Sequence, residues 1–149
     1  MVLLNLNPFT NIYQSEHLPP FSQLIDEAIK LGYRRAKEFK AWTLFYGDFS
    51  AKPDVDGALE MFVELAKSGS PNGQLGLGFV YASGLAVNSS QAKALVYLTF
   101  SALGGNSLAQ MMLGYRYWTG VGVPTNCETA LTYYKVRVEG CLRGSLITR

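Results

Sequence analysis

From Phe21 onward the chain alternates apolar stripes at three-to-four spacing with short stretches rich in Gly, Ser, Asn and Asp. The first stripe, Leu24, Ile25, Ala28, Ile29 and Leu31, lies between Ser22 as a helix N-cap and Gly32 as a stop, and predicts a helix over 22–31. After it the stripes come in pairs. Helices are predicted over 34–46 and 55–67, joined by a loop over 47–54 in which Asp54 or Asp56 supplies the cap. A second pair is predicted over 72–82 and 90–103, and a third over 107–119 and 128–139. Met61, Phe62, Leu65 and Ala66, like Leu95, Leu98 and Ala102, have the spacing of a buried face. The helix over 22–31 then reads as the second helix of a unit whose first is lacking. Residues 1–21 carry Asn, Pro and scattered apolar residues without a period and read as an irregular leader; 22–140 form the helical domain and 141–149 an irregular tail.

The pairs are copies of one another. A shift of thirty-six residues matches Gly78 with Gly114, Tyr81 with Tyr117, Gly84 with Gly120, Val87 with Val123, Ala94 with Ala130, Leu95 with Leu131 and Tyr97 with Tyr133. The same shift matches Ala58 with Ala94, Ala66 with Ala102 and Gly69 with Gly105. A period of this length means stacked supersecondary units. One helix pair cannot bury both of its faces, so the units require neighbours, and the expected fold is an all-α solenoid of about three antiparallel helix pairs with a concave surface.

The recurring glycines carry two expectations. Gly78 and Gly114 fall inside first helices, where glycine costs about 0.5–1 kcal/mol relative to alanine, so a close approach of another backbone is expected there. Gly84, Gly120 and Gly122 fall where a first helix reverses, and Gly69, Gly104 and Gly140 where a second helix ends; both are places for a left-handed cap. Ala86 stands where the next copy has Gly122, which puts a Cβ on left-handed backbone at a cost of about 1 kcal/mol.

The run Leu77-Gly78-x-x-Tyr81-x-x-Gly84-Leu85-x-Val87, then Ala94-Leu95-x-Tyr97 and a closing glycine, together with Leu113-Gly114-x-x-Tyr117-x-x-Gly120-Val121-Gly122-Val123, resembles the Sel-1-like repeat, a relative of the tetratricopeptide repeat. The resemblance covers roughly residues 32–140 and is strongest to the Sel-1 homologues of animals. It implies a substrate-recruiting adaptor of endoplasmic-reticulum-associated degradation, one that bridges misfolded lumenal glycoproteins, lectins and a membrane ubiquitin ligase. The partners implied are proteins of the ligase and quality-control machinery, and the location implied is the endoplasmic reticulum. The alternative is a truncated repeat fragment without adaptor activity of its own, which self-associates or competes with a full-length relative.

Composition narrows the chemistry. Of the 149 residues 48% are apolar and 16% charged, which indicates a globular chain, and a net charge of +2 gives no footprint for nucleic acid. Arg34, Arg35 and Lys37, followed by Glu38, read as a solvated helix face. The uncharged run over 75–87 is too short and too rich in glycine to span a bilayer. The apolar start over 1–6 lacks a basic n-region and is cut by Pro8, so a secretory signal is poorly supported.

No catalytic, cofactor or metal constellation is expected. His17 is the single histidine and lies in the leader. Cys127 and Cys141 lack zinc spacing and, across a helix, lie roughly 20 Å apart, so two free thiols are expected. Asp54-x-Asp56-Gly57 lacks the later ligands of a calcium loop, and no Gly-Lys-Ser/Thr follows the glycine-rich loops. Two places carry functional expectations. Asn88-Ser89-Ser90 is a candidate N-glycosylation acceptor in an exposed loop. In the cluster Tyr115, Tyr117 and Trp118, Tyr117 reads as core, while Tyr115 and Arg116 are the candidates for exposure and protein binding.

Overall fold

The computed structural model describes residues 21–47 and 52–135. Six bounded helices occur among them: α1 (Phe21–Lys30), α2 (Arg34–Tyr46), α3 (Val55–Lys67), α4 (Pro71–Ser83), α5 (Gln91–Leu103) and α6 (Ser107–Thr119). A seventh, α7, is helical over 127–135. No strand occurs among the described residues. Residues 1–20 and 136–149, with His17, Gly140 and Cys141, lie outside them; Phe21, expected in the leader, begins α1, and Cys127 is exposed at the start of α7.

The helices begin where short polar side chains satisfy orphan N–H groups. The Gly57 N–H donates to Asp54 Oδ1 at 3.0 Å, which selects Asp54 over Asp56 as the cap of α3. Ser70 and Ser90 accept from Gly73 N and Lys93 N, and Asn106 Oδ1 accepts from both Leu108 N and Ala109 N. Ser22, expected as a cap, lies inside α1, which starts one residue earlier.

The ends repeat as faithfully as the beginnings. The N–H groups of Tyr33, Ser70 and Asn106 donate to the carbonyls of Ala28, Leu65 and Ser101, and those of Gly32, Gly69 and Gly105 donate to Ile29, Ala66 and Ala102. This paired closure is the Schellman motif, and it requires left-handed backbone at the residue that carries the second donor. That residue in unit two is Gly105, with φ +86°, and not Gly104, which has φ −71°. The expected position of the left-handed cap is therefore corrected by one residue. The same closure after α1 shows why α1 takes the place of a second helix. Within units, Asp54 N, Ser90 N and Asn126 N donate to the carbonyls of Leu44, Tyr81 and Tyr117, folding each loop back over its first helix.

Consecutive helices pack against each other from α1 to α6, and α2 also touches α4. The core falls into two clusters along the stack, with no buried residue in α1. Ala41, Ala58, Phe62, Leu65, Leu77 and Val80 join the first unit to the second, and Leu75, Leu98, Ala102, Ala109 and Leu113 join the second to the third. Trp42 lies against both clusters, with its ring 5.8 Å from that of Phe79. Tyr81 stacks on Tyr97 at 5.6 Å and Tyr117 on Tyr133 at 5.9 Å, the same pair one period apart.

Close approach at the expected glycines is by side chain rather than backbone. A Cβ on Gly78 would stand 2.8 Å from Leu98 Cδ2, and one on Gly114 3.0 Å from the Tyr134 ring. Backbone contact occurs instead at Gly73, where a Cβ would stand 2.8 Å from the Ala66 nitrogen.

Ala86 has φ +62°, the single left-handed residue other than glycine among those described. The left-handed penalty for a Cβ is about 1–2 kcal/mol, and glycine returns about 0.5–1 kcal/mol of that through unfolded-state entropy. Ala86→Gly is therefore expected to stabilise the fold by about 0.5–1 kcal/mol, read as a higher midpoint of urea unfolding at unchanged slope. A lower midpoint would show that the loop is not strained at this residue.

Candidate protein-interaction surface

The shift of thirty-six residues also shows which surfaces lack a neighbour among the described residues. Leu75 and Phe79 of α4 correspond to Met111 and Tyr115 of α6, and Leu95 of α5 corresponds to Leu131 of α7. Leu75 is buried, and Phe79 and Leu95 pack on the same cluster. Their counterparts face outward: Met111, Tyr115 and Leu131 are exposed, as is Trp118 one turn beyond Tyr115. The Tyr115 and Trp118 rings meet edge to face at 6.2 Å. A helix face with apolar residues at spacings of four and three, two of them aromatic, can supply the rigid amphipathic contacts that anchor protein interfaces.

Tyr115 is 53% exposed, but Arg116 is not available beside it. Only 6% of Arg116 is exposed, and the expectation that it lies on the surface is corrected. The helix turns about 100° per residue, so if Tyr115 faces out, the next side chain points toward α5. Arg116 corresponds to Val80, which is fully buried in unit two. That correspondence was the signal in the sequence that the place is internal.

A second polar residue was hidden from sequence reasoning. Glu38, expected on a solvated face, is 8% exposed. Its carboxylate accepts from Ser70 Oγ at 2.6 Å and Asn72 Nδ2 at 2.8 Å, and it pairs with Arg34 Nε at 3.5 Å. The Asn106 side chain donates in turn to Asn72 Oδ1 at 2.7 Å. This chain of bonds ties the starts of α2, α4 and α6 together along an open groove of about 360 Å³ lined by Arg35, Gly105 and Ser107 among others. Every carboxylate oxygen of Glu38 has a partner, so the groove reads as a structural tie. Lys37, on the same helix, binds Glu64 of α3, and the Lys37 ammonium holds the Glu64 carboxyl below the ordinary carboxylate range.

Asn88 is exposed in the loop between Gly84 and Ser90, and the loop is closed by Ser90 rather than by Asn88. Its amide is thus on an accessible surface. Among the described residues no cluster of His, Cys, Asp or Glu could hold a metal ion, and no helix is long and apolar enough to cross a membrane.

A model of the Sel1 repeat matches residues 28–70, 71–106 and 107–135, in step with the units defined by the helix caps. The chain is 43% identical over 112 residues to protein sel-1 homolog 2 of Homo sapiens, a stretch that is 75% of this chain and 16% of that relative. It is 40% identical over 52 residues to the ERAD-associated E3 ubiquitin-protein ligase component HRD3B of Arabidopsis thaliana, covering 35% of this chain and 9% of the relative. In fold it is similar to the crystal structure of a Sel1 repeat protein from Oxalobacter formigenes, with a TM-score of 0.69 at 23% identity over 85% of this chain and 95% of that one.

Proposed function

The chain belongs to the Sel1 repeat family, and from that membership we propose that it is a non-enzymatic protein-interaction scaffold acting as an adaptor in an endoplasmic-reticulum ubiquitin-ligase complex. The observation that carries the scaffold reading is the outward apolar face of α6 and α7, where Met111, Tyr115 and Leu131 are exposed although their counterparts Leu75, Phe79 and Leu95 pack on the core in the preceding unit, and Trp118 is exposed beside them. A face of this kind binds by the rule that stacks the units, through helix against helix. The link to degradation is supported by the plant relative named as a ligase component. Asn88, exposed in an Asn-Ser-Ser sequence, is the proposed glycosylation acceptor and suits a chain that works in the lumen.

A second reading draws on the same face. The apolar surface of α6 and α7 can receive another copy of the chain or a repeat of a longer relative, so that the short stretch associates with its own kind or competes with a full-length protein. The chain spans 16% of the human relative it matches.

One experiment separates them. The full chain is directed to the lumen and recovered by affinity capture, with a glycosidase-sensitive mobility shift that disappears in Asn88→Gln as the report of entry. The adaptor reading expects ligase and quality-control proteins in the capture, and their loss by about tenfold or more in the double variant Tyr115→Ser, Trp118→Ser, because aromatic anchors carry a large share of interface energy. Capture of the chain's own copies or a full-length relative, without ligase components, supports the second reading and overturns the first. Equal recovery by the double variant overturns the assignment to this face.

A further inference from the structure

Units two and three differ at two positions that come together in space. Arg116 stands where unit two has Val80, and Gly122 where it has Ala86. Val80 makes no polar demand on its fully buried place, whereas a guanidinium brings five N–H donors and a charge it does not lose. Arg116 nevertheless keeps the place, 6% exposed, and its Nη1 is buried without a hydrogen-bond partner among the described residues. The ion pairs among those residues join Arg34 to Glu38, Lys37 to Glu64 and Lys40 to Asp26, and none includes Arg116. Burial pushes its pKa below the ordinary guanidinium value, and no carboxylate among the described residues counters the effect. A buried charge without an acceptor is the arrangement that folded proteins most consistently avoid.

What surrounds the nitrogen is suited to an anion. A Cβ built on Gly122 would stand 3.4 Å from Gln91 Cβ and 3.5 Å from Arg116 Nη1, so the loop, the first residue of α5 and the unpaired donor meet at one point. α5 has 13 residues and no acidic residue in its first turn, so no charge of its own offsets the positive end of its dipole. Ser90 accepts from the N–H groups of Lys93 and Ala94, and those of Gln91 and Ala92 lack intrahelical partners by helix geometry. Glycine at 122 presents bare backbone over the nitrogen where a side chain would otherwise stand. Lys93, the other cation on this turn, lies 5.2 Å from the centre of the Tyr81 ring.

We propose that this is a carboxylate-recognition site, in which the Arg116 guanidinium and the first N–H groups of α5 receive the side-chain carboxylate of an Asp or Glu on a protein partner. The planar fork of an arginine matches a carboxylate in a two-point contact, and one guanidinium balances one negative charge. The site rests on the scaffold reading in that its ligand belongs to a partner. It lies on the α5 side of α6, away from the face that presents Tyr115, so a partner that uses both grips the last unit from two sides.

The test follows the Arg116 Nε–H resonance of the isotope-labelled full chain by NMR during titration with N-acetyl-glutamate N-methylamide, at ionic strength held constant with sodium chloride. N-acetyl-glutamine N-methylamide serves as the uncharged isostere. A saturable shift of Arg116, Gln91 and Gly122 with the carboxylate alone is expected. In Arg116→Val, which installs the residue that unit two carries at this place, the Gln91 and Gly122 shifts are expected to vanish. Arg116→Lys keeps the charge and loses the fork; it is expected to weaken binding about tenfold and reads the site even if the valine variant does not fold. Equal shifts with both compounds, shifts that persist in the valine or lysine variant at full strength, or no saturable shift with the carboxylate would each overturn the site. Capture of partners undiminished in Arg116→Val would refute it while leaving the scaffold reading intact. Binding of the probe by a chain that captures no partner would refute the scaffold reading and leave a carboxylate site.

Discussion

Phe62→Ala is expected to destabilise the fold by about 3–5 kcal/mol, the range for removing a fully buried aromatic ring. Phe62 has no exposed surface. Its ring lies 4.9 Å from that of Trp42 and 6.1 Å from that of Phe45, so it is held by two aromatics of α2. On its other side lies Gly76 of α4, where a Cβ would stand 2.5 Å from Phe62 Cγ. One ring on α3 thus fills the space that joins α2 to α4. In a stack stabilised by contacts between nearest neighbours, its loss weakens the junction of two units as well as one helix pair. Thermal unfolding followed by circular dichroism should show a midpoint roughly 10–20 °C lower. A fall of only a degree or two would mean that the units cohere through other contacts and that the ring is not their junction.

Gly73→Ala is expected to cost about 1–3 kcal/mol or more, although alanine is the better helix former by about 1 kcal/mol. The sign is reversed by what the new Cβ would meet: the Leu65 side chain at its root, the Ala66 nitrogen at 2.8 Å and the Leu65 carbonyl carbon at 2.9 Å. None of these atoms can move without moving α3. Gly78→Ala provides the contrast, because its Cβ would meet the far end of Leu98, with Cδ2 at 2.8 Å. A leucine tip can turn aside at the cost of some packing, so Gly78→Ala should lose clearly less than Gly73→Ala in urea unfolding of the two variants side by side. The reverse order would mean that α3 and α4 are not locked by backbone contact at this crossing.

Most of the fold was legible along the chain because helix pairs are local objects. The helix spans follow from three-to-four spacing within each element, and the end of α6 from Gly120 at its stop. Repetition then carries each local reading to its copies. What escaped were choices among neighbours of equal local merit. Gly104 and Gly105 are both glycines at a helix end, and only the bonds to Ala102 and Ser101 decide that Gly105 takes the left-handed angle. Gly104 serves another contact, with a Cβ there standing 2.6 Å from Pro71 Cγ.

The candidate surfaces divide in the same way. Tyr115 and Asn88 are exposed where an amphipathic helix and a polar loop suggest exposure. Arg116 and Glu38 are the opposite case, charged residues that composition assigns to water and the stack encloses. In each the periodic counterpart carries the information: Arg116 falls on Val80, and Glu38 falls on Leu75, since the loop of unit one, closed from Asp54 to Leu44, is one residue longer than that closed from Ser90 to Tyr81. Glu38 is tolerated because Ser70 and Asn72 approach it from α4, more than thirty residues away along the chain.

By itself, the sequence determined the all-α class, the period, the number of units and the family, since each depends on spacing within an element or on recurrence along the chain. Tertiary structure alone decided which glycine meets a backbone, which charges are enclosed and which apolar residues are left facing outward. Those outcomes depend on the side chains that a neighbouring helix brings to within a few ångströms, and a helix face has no fixed burial until its neighbour is in place.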